Sequence, residues 1–209
     1  MDLLRTVAKA WNIPDIRKKI IFTLCMLLIF RIGAQIPVPG MDREVLAQTF
    51  DSDTGLFALF NLFSGGAFSN FTIFALSITP YINASIILQL LTIAIPALER
   101  MAKEGPEGQK KLTQLTRGVT VVLGLVTAIG YYMLLANNGM LIKGAAKGES
   151  GYWFLYAVVI VVAFCAGASL VMWLGEKINE NGIGNGISLI LFANIIQTLP
   201  SIFIRLYET

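Results

Sequence analysis

The sequence predicts an all-α polytopic membrane protein with five transmembrane helices and a short half-helix after the first of them. Of its 209 residues, 56% are hydrophobic and only 14% are charged, whereas a soluble domain carries about 25% charged residues. The mean hydropathy is +0.70. Four runs without Asp, Glu, Lys or Arg come close to or exceed the roughly 20 helical residues that cross a bilayer core. A helix satisfies its own backbone hydrogen bonds in lipid, so we interpret these runs as membrane helices.

The positions of the charged residues define the predicted spans. Their approximate boundaries are 20–37, 71–98, 118–135, 152–174 and 186–204. The first span is the weakest because Arg31 interrupts it, and we expect this side chain to reach an interface. Basic residues precede it as in a signal peptide, but the sequence RIGAQIPVPG that follows has no small-residue cleavage site. We therefore interpret it as a retained span.

The distribution of lysine and arginine predicts the orientation. The N-terminal segment holds five of them, the segment before the third span holds five more, and Lys177 follows the fourth span. The opposite side holds five, against these eleven. Because positive charge is retained in the cytoplasm, we expect a cytoplasmic N-terminus and place the C-terminal end of this chain outside.

A half-helix is predicted at 55–70, ahead of the second span. Leu56, Leu59, Phe60 and Phe63 recur at helical spacing, and Gly65 and Gly66 then break the pattern. The stripe is too short to cross a bilayer. Either it occupies a protein-lined cavity, or it lies as an interfacial helix on the outer leaflet. The pattern alone leaves both open.

Three local expectations accompany the spans. Pro80 should bend the second span, and Gly175 should end the fourth before a tight reversal through the Asn-Gly pairs of NENGIGNG. The small residues of CAGAS, at 165–169, should form a close helix-crossing site. The segment KEGPEGQKK should be a turn-rich basic loop.

The composition argues against an enzyme. The chain has no histidine, which excludes histidine-based catalysis and metal ligation, and no predicted span carries a carboxylate pair. We expect no cofactor and no metal. Half of a secondary transporter with a broken-helix binding site is the alternative to a passive channel. Transporters of that kind usually use intramembrane charges, and spans two to five contain none.

Four long motifs resemble the SecY family of protein-conducting channels, in order and over nearly the whole chain. They are FRIGAQIPVPG, FNLFSGGAFSNFTIFALSITPYINASIILQLL, KEGPEGQKKLTQLTR and MWLGEKINENGIGNGISLILFANII. The resemblance implies a channel of ten helices in two halves, of which this chain corresponds to the first five spans. It also implies that 55–70 is the plug of the resting channel, with Gly65 and Gly66 at its hinge.

The resemblance further implies a pore ring and a lateral gate. The ring falls on Ile78, Ile82, Ile187 and Leu191. Each pair is spaced i, i+4 and shares one line of its helix, a spacing too common in membrane helices to indicate a pore alone. Spans two and three would form one side of the lateral gate, with a polar cluster at its seam. Asn83 is the best match to that cluster, and Thr120 and Thr127 on span three are weaker matches.

Partners are implied in the same way. They are the second half of the channel, small SecE-like and SecG-like membrane subunits, a translocating polypeptide with its signal sequence, and the bilayer of the cell membrane. The cytoplasmic basic loop carries Lys103, Lys110, Lys111 and Arg117. From the residues alone it is a topology anchor, and the resemblance adds contact with a SecA motor or a ribosome. Gly118 stands where the family usually has tyrosine, and Pro106 and Gln109 stand where charges are common, so this loop departs from the family pattern.

Overall fold

The described part of the chain is a bundle of helices. The computed structural model describes residues 13–41, 64, 66, 67, 70–137, 139–141 and 151–208, with side chains as far as residue 197. Within those ranges no residue belongs to a β-strand, and two isolated antiparallel bridges join loops. The helices are α1 (Pro14–Gly33), α2 (Thr79–Ala94), α3 (Pro96–Lys103), α4 (Pro106–Asn137), α5 (Trp153–Asn181) and α6 (Gly186–Glu208).

Two of these helices, α4 and α5, are long and apolar enough to cross a membrane. The pair α2 and α3, bent by 103° at its break, counts as a third candidate if it forms one span. The described part of α6 as far as Gln197 is a shorter apolar helix. The structure thus confirms an all-helical architecture with two or three candidate spans in the described ranges, and the count of five stays a prediction.

The second predicted span differs most from the structure. The helix begins at Thr79 rather than at 71, and residues 71–78 are irregular. Pro80 lies in the first turn of α2, where its missing N–H has no helical partner to lose, so the expectation that it bends a span is wrong. The bend occurs at Ile95, which adopts an extended conformation because the next residue is Pro96.

The fourth predicted span ends too early. Helix α5 continues through Gly175 to Asn181, so Gly175 does not terminate it and Glu176 lies within the helix. The expected reversal through NENGIGNG is present after Asn181. There the side chain of Asn179 accepts a hydrogen bond from the Gly186 N–H at 2.7 Å, and Asn185 accepts one from the Ile187 N–H at 3.0 Å. These side chains satisfy amides that the start of a helix leaves without partners.

Packing centres on α5 and forms two apolar clusters. Helix α4 packs most extensively on α5 and also on α2, while α1 and α6 pack on α5 from other sides. The first cluster contains Val38, Phe71, Ala75, Leu76, Ala128, Leu135, Met140, Leu141, Ile160, Phe164 and Ala168. The second cluster contains Phe30, Ala34, Ala67, Phe74, Ile78, Val171, Leu174, Ile178 and Ile190. Many large apolar side chains remain exposed around both, as expected of a surface that faces lipid.

The irregular segment 71–78 lies inside this bundle. Its Ile73 N–H donates to the Ile36 carbonyl at 3.0 Å, and the Val38 N–H donates to the Phe71 carbonyl at 3.1 Å. Within the segment, the Ala75 N–H donates to the Thr72 carbonyl and the Ser77 N–H donates to the Phe74 carbonyl, each in a tight turn. A non-helical backbone at membrane depth is stable when protein surrounds it and completes its hydrogen bonds.

Glycine permits the close approach between this segment and α5. A Cβ atom at Gly167 would overlap the carbonyl oxygen of Ile73, which is backbone and cannot move aside freely. The close crossing expected at 165–169 is therefore present, but the backbone that meets Gly167 belongs to the irregular segment. On the same stretch of α5, Ala168 faces Gly124 of α4, so a helix pair is also in near contact there.

We expect Gly167→Ala to destabilise the bundle, since the new methyl group forces Ile73 away from α5. Overpacking of this kind costs about 1–3 kcal/mol. The midpoint of thermal unfolding in detergent micelles should fall accordingly. Gly130→Ala is the matched control, because nothing lies within 4 Å of a Cβ atom at that position in α4. It should be neutral or stabilising by up to about 1 kcal/mol. Equal midpoints for the two variants would contradict this account of the crossing.

Candidate functional site

The four predicted ring residues lie at the starts of two helices. Ile78 precedes the first residue of α2 and Ile82 lies in its first turn, while Ile187 and Leu191 occupy the first two turns of α6. Ile78 is 1% exposed and belongs to the second cluster. The other three are half-buried and pack against that same cluster. The structure therefore brings all four into one apolar region, and their function as a pore ring stays a prediction.

Helix α5 forms the wall behind this region. A Cβ atom at Gly175 would lie 3.5 Å from Ile187 and 3.7 Å from Ile78, so α5 touches a ring residue of each pair. The turn into α6 is held from the other side by α1. There the Thr23 hydroxyl donates to the Lys19 carbonyl and accepts the Ile183 N–H at 3.2 Å. Polar contacts thus fix the start of α6, and its first apolar side chains, Ile187, Ile190 and Leu191, pack in or against the second cluster.

The predicted lateral-gate residues lie on α2 and α4, which pack together. Asn83 is exposed on α2, whereas Thr120 is buried on α4 and Thr127 is half-buried. Both threonine hydroxyls donate to carbonyls one turn earlier in their own helix, Thr120 to Thr116 and Thr127 to Leu123, each at 2.7 Å. Those bonds satisfy the hydroxyls within α4.

The base of the predicted plug is described in part. Leu56, Leu59, Phe60, Phe63 and Gly65 lie outside the described residues. Gly66 has a positive φ of 80°, which glycine adopts without strain. Its carbonyl accepts hydrogen bonds from both the backbone and the side chain of Asn70, and Ala67 is completely buried in the second cluster. Gly66, Ala67 and Asn70, at the end of the predicted plug, are therefore held by hydrogen bonds and burial.

The basic segment is mostly helical, so the expectation of a turn-rich loop is wrong. Lys103 ends α3, while Lys110, Lys111 and Arg117 lie in α4. The reversal is confined to Glu104 and Gly105, with a positive φ of 77° at the glycine, and Pro106 then begins α4. Three of the four basic side chains pair with carboxylates, in the pairs Lys103–Glu99, Lys111–Glu104 and Arg117–Glu176.

The sequence interpretation missed Glu176, the most buried charged side chain among the described residues. Its Oε1 accepts a hydrogen bond from Arg117 Nε at 2.9 Å, and its Oε2 forms an ion pair with Arg117 Nη2 at 2.8 Å. The periodic apolar residues Val171, Leu174 and Ile178 show that the helix continues past Gly175. That periodicity was the available signal, since it places Glu176 inside a helix.

A second polar contact joins α1 to α6. Arg31, in the last turn of α1, donates from Nη1 to Oε1 of Gln197. The arginine expected at an interface thus bonds another helix. Gln197 also lies near the predicted hinge, because a Cβ atom at Gly66 would be 3.8 Å from its Nε2.

An apolar exterior, two or three candidate spans and an enclosed non-helical segment together define a polytopic helical membrane protein. The SecY family model matches residues 72–209. The chain belongs to the SecY family.

Relatives and solved structures agree with this membership. The chain is 45% identical to the protein translocase subunit SecY of Bacillus subtilis over 99% of its own length, and 44% identical to that of Streptomyces coelicolor over 95%. It spans 47% of the length of each of these relatives. The fold is similar to the Sec61 channel in a canine ribosome–channel complex from the endoplasmic reticulum, with a TM-score of 0.62 at 20% identity. That match covers 88% of this chain and 37% of the other.

Proposed function

We propose that this chain forms one half of the pore of a protein translocation channel. In this proposal the channel passes secretory polypeptides across the cell membrane and releases membrane-protein segments sideways into the bilayer. The observation that carries it is the convergence of Ile78, Ile82, Ile187 and Leu191 on one apolar cluster at the starts of α2 and α6. Membership of the SecY family supports the same function.

The proposed topology has five spans, formed by α1, the α2–α3 pair, α4, α5 and α6. The excess of lysine and arginine on the N-terminal side supports a cytoplasmic N-terminus, with the end of α6 outside. The partners in this proposal are the second half of the channel, SecE-like and SecG-like subunits, a polypeptide with a signal sequence and the lipid bilayer. A SecA motor or a ribosome would bind the basic ends of α3 and α4.

A channel for polypeptides must close to water and ions when it is idle. A narrow collar of branched hydrocarbon side chains excludes water, because a water molecule inside it loses hydrogen bonds that the wall cannot replace. Such side chains make no directional bonds, so they can part around a chain and return. Three of the four ring residues are only half-buried in this half, which leaves surface for the complementary half to meet.

Lateral release requires a boundary that opens toward lipid. The exposed apolar side chains of Ile86 and Leu90 continue the line of Ile78 and Ile82 along α2. Asn83 lies exposed on that helix, next to the ring residue Ile82. We include Asn83, Thr120 and Thr127 in the proposed gate. In this proposal α2 and α4 form one side of the gate and move together when it opens.

The ring is tested by changing Ile82 and Ile187 together to Asn, which places donors and acceptors at the constriction. We expect a several-fold rise in resting ion conductance of the assembled channel in planar bilayers, because the collar becomes wet. The control changes Leu91 and Ile196 together to Asn. Both are exposed and lie nine residues after Ile82 and Ile187, on the helix faces opposite to those of the ring residues. Equal leak from both pairs would show that the ring lies elsewhere.

The plug is tested by deleting residues 56–63. This deletion spares Ser64 and Ala67, which are both buried, so the bundle should still assemble. We expect a higher resting conductance with little change in the yield of inserted protein. Loss of insertion would instead assign the segment a structural function.

A further inference from the structure

The ion pair between Arg117 and Glu176 has the geometry of a rigid connection between α4 and α5. The guanidinium donates a hydrogen bond from Nε to Oε1 at 2.9 Å, and its Nη2 lies 2.8 Å from Oε2 of the same carboxylate. The Glu176 side chain is 10% exposed, whereas that of Arg117 is 46% exposed. A two-point bond of this kind fixes the orientation of both side chains, which a single contact would not do.

The two helices that the pair joins both touch the ring-bearing elements. On α5, the residue before Glu176 is Gly175, which faces Ile78 and Ile187. On α4, Gly124 faces Pro80 in the first turn of α2, since a Cβ atom there would lie 4.0 Å from the proline Cβ. A shift of α4 relative to α5 would therefore move the supports of both ring pairs.

We propose that Arg117 and Glu176 are positioning residues for the constriction, and that their bond keeps the ring closed in the resting channel. This inference rests on the proposed function of the ring. A buried carboxylate is stable while its partner holds it, and it draws in water or shifts its helix when the partner is removed. Because Glu176 adjoins the Gly175 contact, that response reaches Ile78 and Ile187 directly.

An exposed pair on the same helix supplies a matched comparison. Lys177 and Glu180 lie 2.6 Å apart, and their side chains are 36% and 52% exposed. Exposed pairs contribute little to stability because water competes for both charges. Both Lys177 and Glu180 lie on α5 close to Glu176, so this pair is exposed and joins no second helix, whereas the Arg117–Glu176 pair joins α4 to α5.

The experiment measures resting ion conductance of the channel assembled with its complementary half, for Arg117→Gln, Glu176→Gln and the exchange Arg117→Glu with Glu176→Arg. We expect a several-fold rise for each single change and a substantial return toward the starting value for the exchange. Lys177→Gln and Glu180→Gln should leave conductance unchanged. Arg117→Lys keeps the charge but loses the two-point bond, so it should leak to an intermediate degree.

The outcomes separate the positioning function of Arg117 and Glu176 from the ring assignment on which it rests. If Ile82→Asn with Ile187→Asn leaks and the Arg117 and Glu176 variants do not, the positioning inference is wrong while the ring stands. If neither set leaks, the ring assignment itself fails. If the Arg117 and Glu176 variants, including Arg117→Lys, do not assemble, the pair serves folding and the inference is overturned. A leak from the Lys177 and Glu180 variants equal to that of the buried pair would also overturn it.

Discussion

The structure depends on completing the hydrogen bonds of a non-helical segment inside an apolar bundle. Residues 71–78 do not form a helix, so their N–H and C=O groups need partners that neither lipid nor a hydrocarbon core supplies. Residues 36–38 provide two of these bonds, and short turns provide others. The segment also carries left-handed backbone at Phe71 and Ser77, with φ of 42° and 51°. Such conformations cost about 1–2 kcal/mol for residues other than glycine, so the surrounding contacts must hold them in place.

The position of this segment determines where the candidate site forms. Phe74 stacks on Phe30 of α1 with ring centroids 5.3 Å apart, which links the segment to the second cluster. Ile78 then emerges at the start of α2, within reach of Gly175 on α5. The turn at 182–185 brings Ile187 to the same place at the start of α6. Both pairs of ring residues in this chain thus follow irregular backbone, and α5 packs behind both pairs.

The sequence predicted the long helices well because length and lack of charge determine them. The predicted span 118–135 lies within α4, and the predicted span 152–174 lies in α5 from its second residue onward. Both helices extend further, because Glu, Lys and Gln favour a helix outside lipid as well. Hydropathy could not separate 71–78 from the helix that follows, since a buried irregular segment is as apolar as a span. The bond between Arg117 and Glu176 joins residues 59 positions apart, so local patterns gave no sign of it. The grouping of Ile78 with Ile187 likewise needed the family resemblance, because i, i+4 spacing says nothing about which helices meet.

The most direct test of the central constraint is amide hydrogen exchange at Val38 and Ile73, measured by NMR on the protein in membrane-mimetic discs. Both amides donate across the pairing between 36–38 and 71–73. If that pairing completes the buried segment, they should exchange as slowly as amides in the middle of α4 and α5, since opening them requires the bundle to open. Exchange as fast as that of the turn at Gly184 would show that the segment is not held in this way, and the account of how the ring is positioned would fail with it.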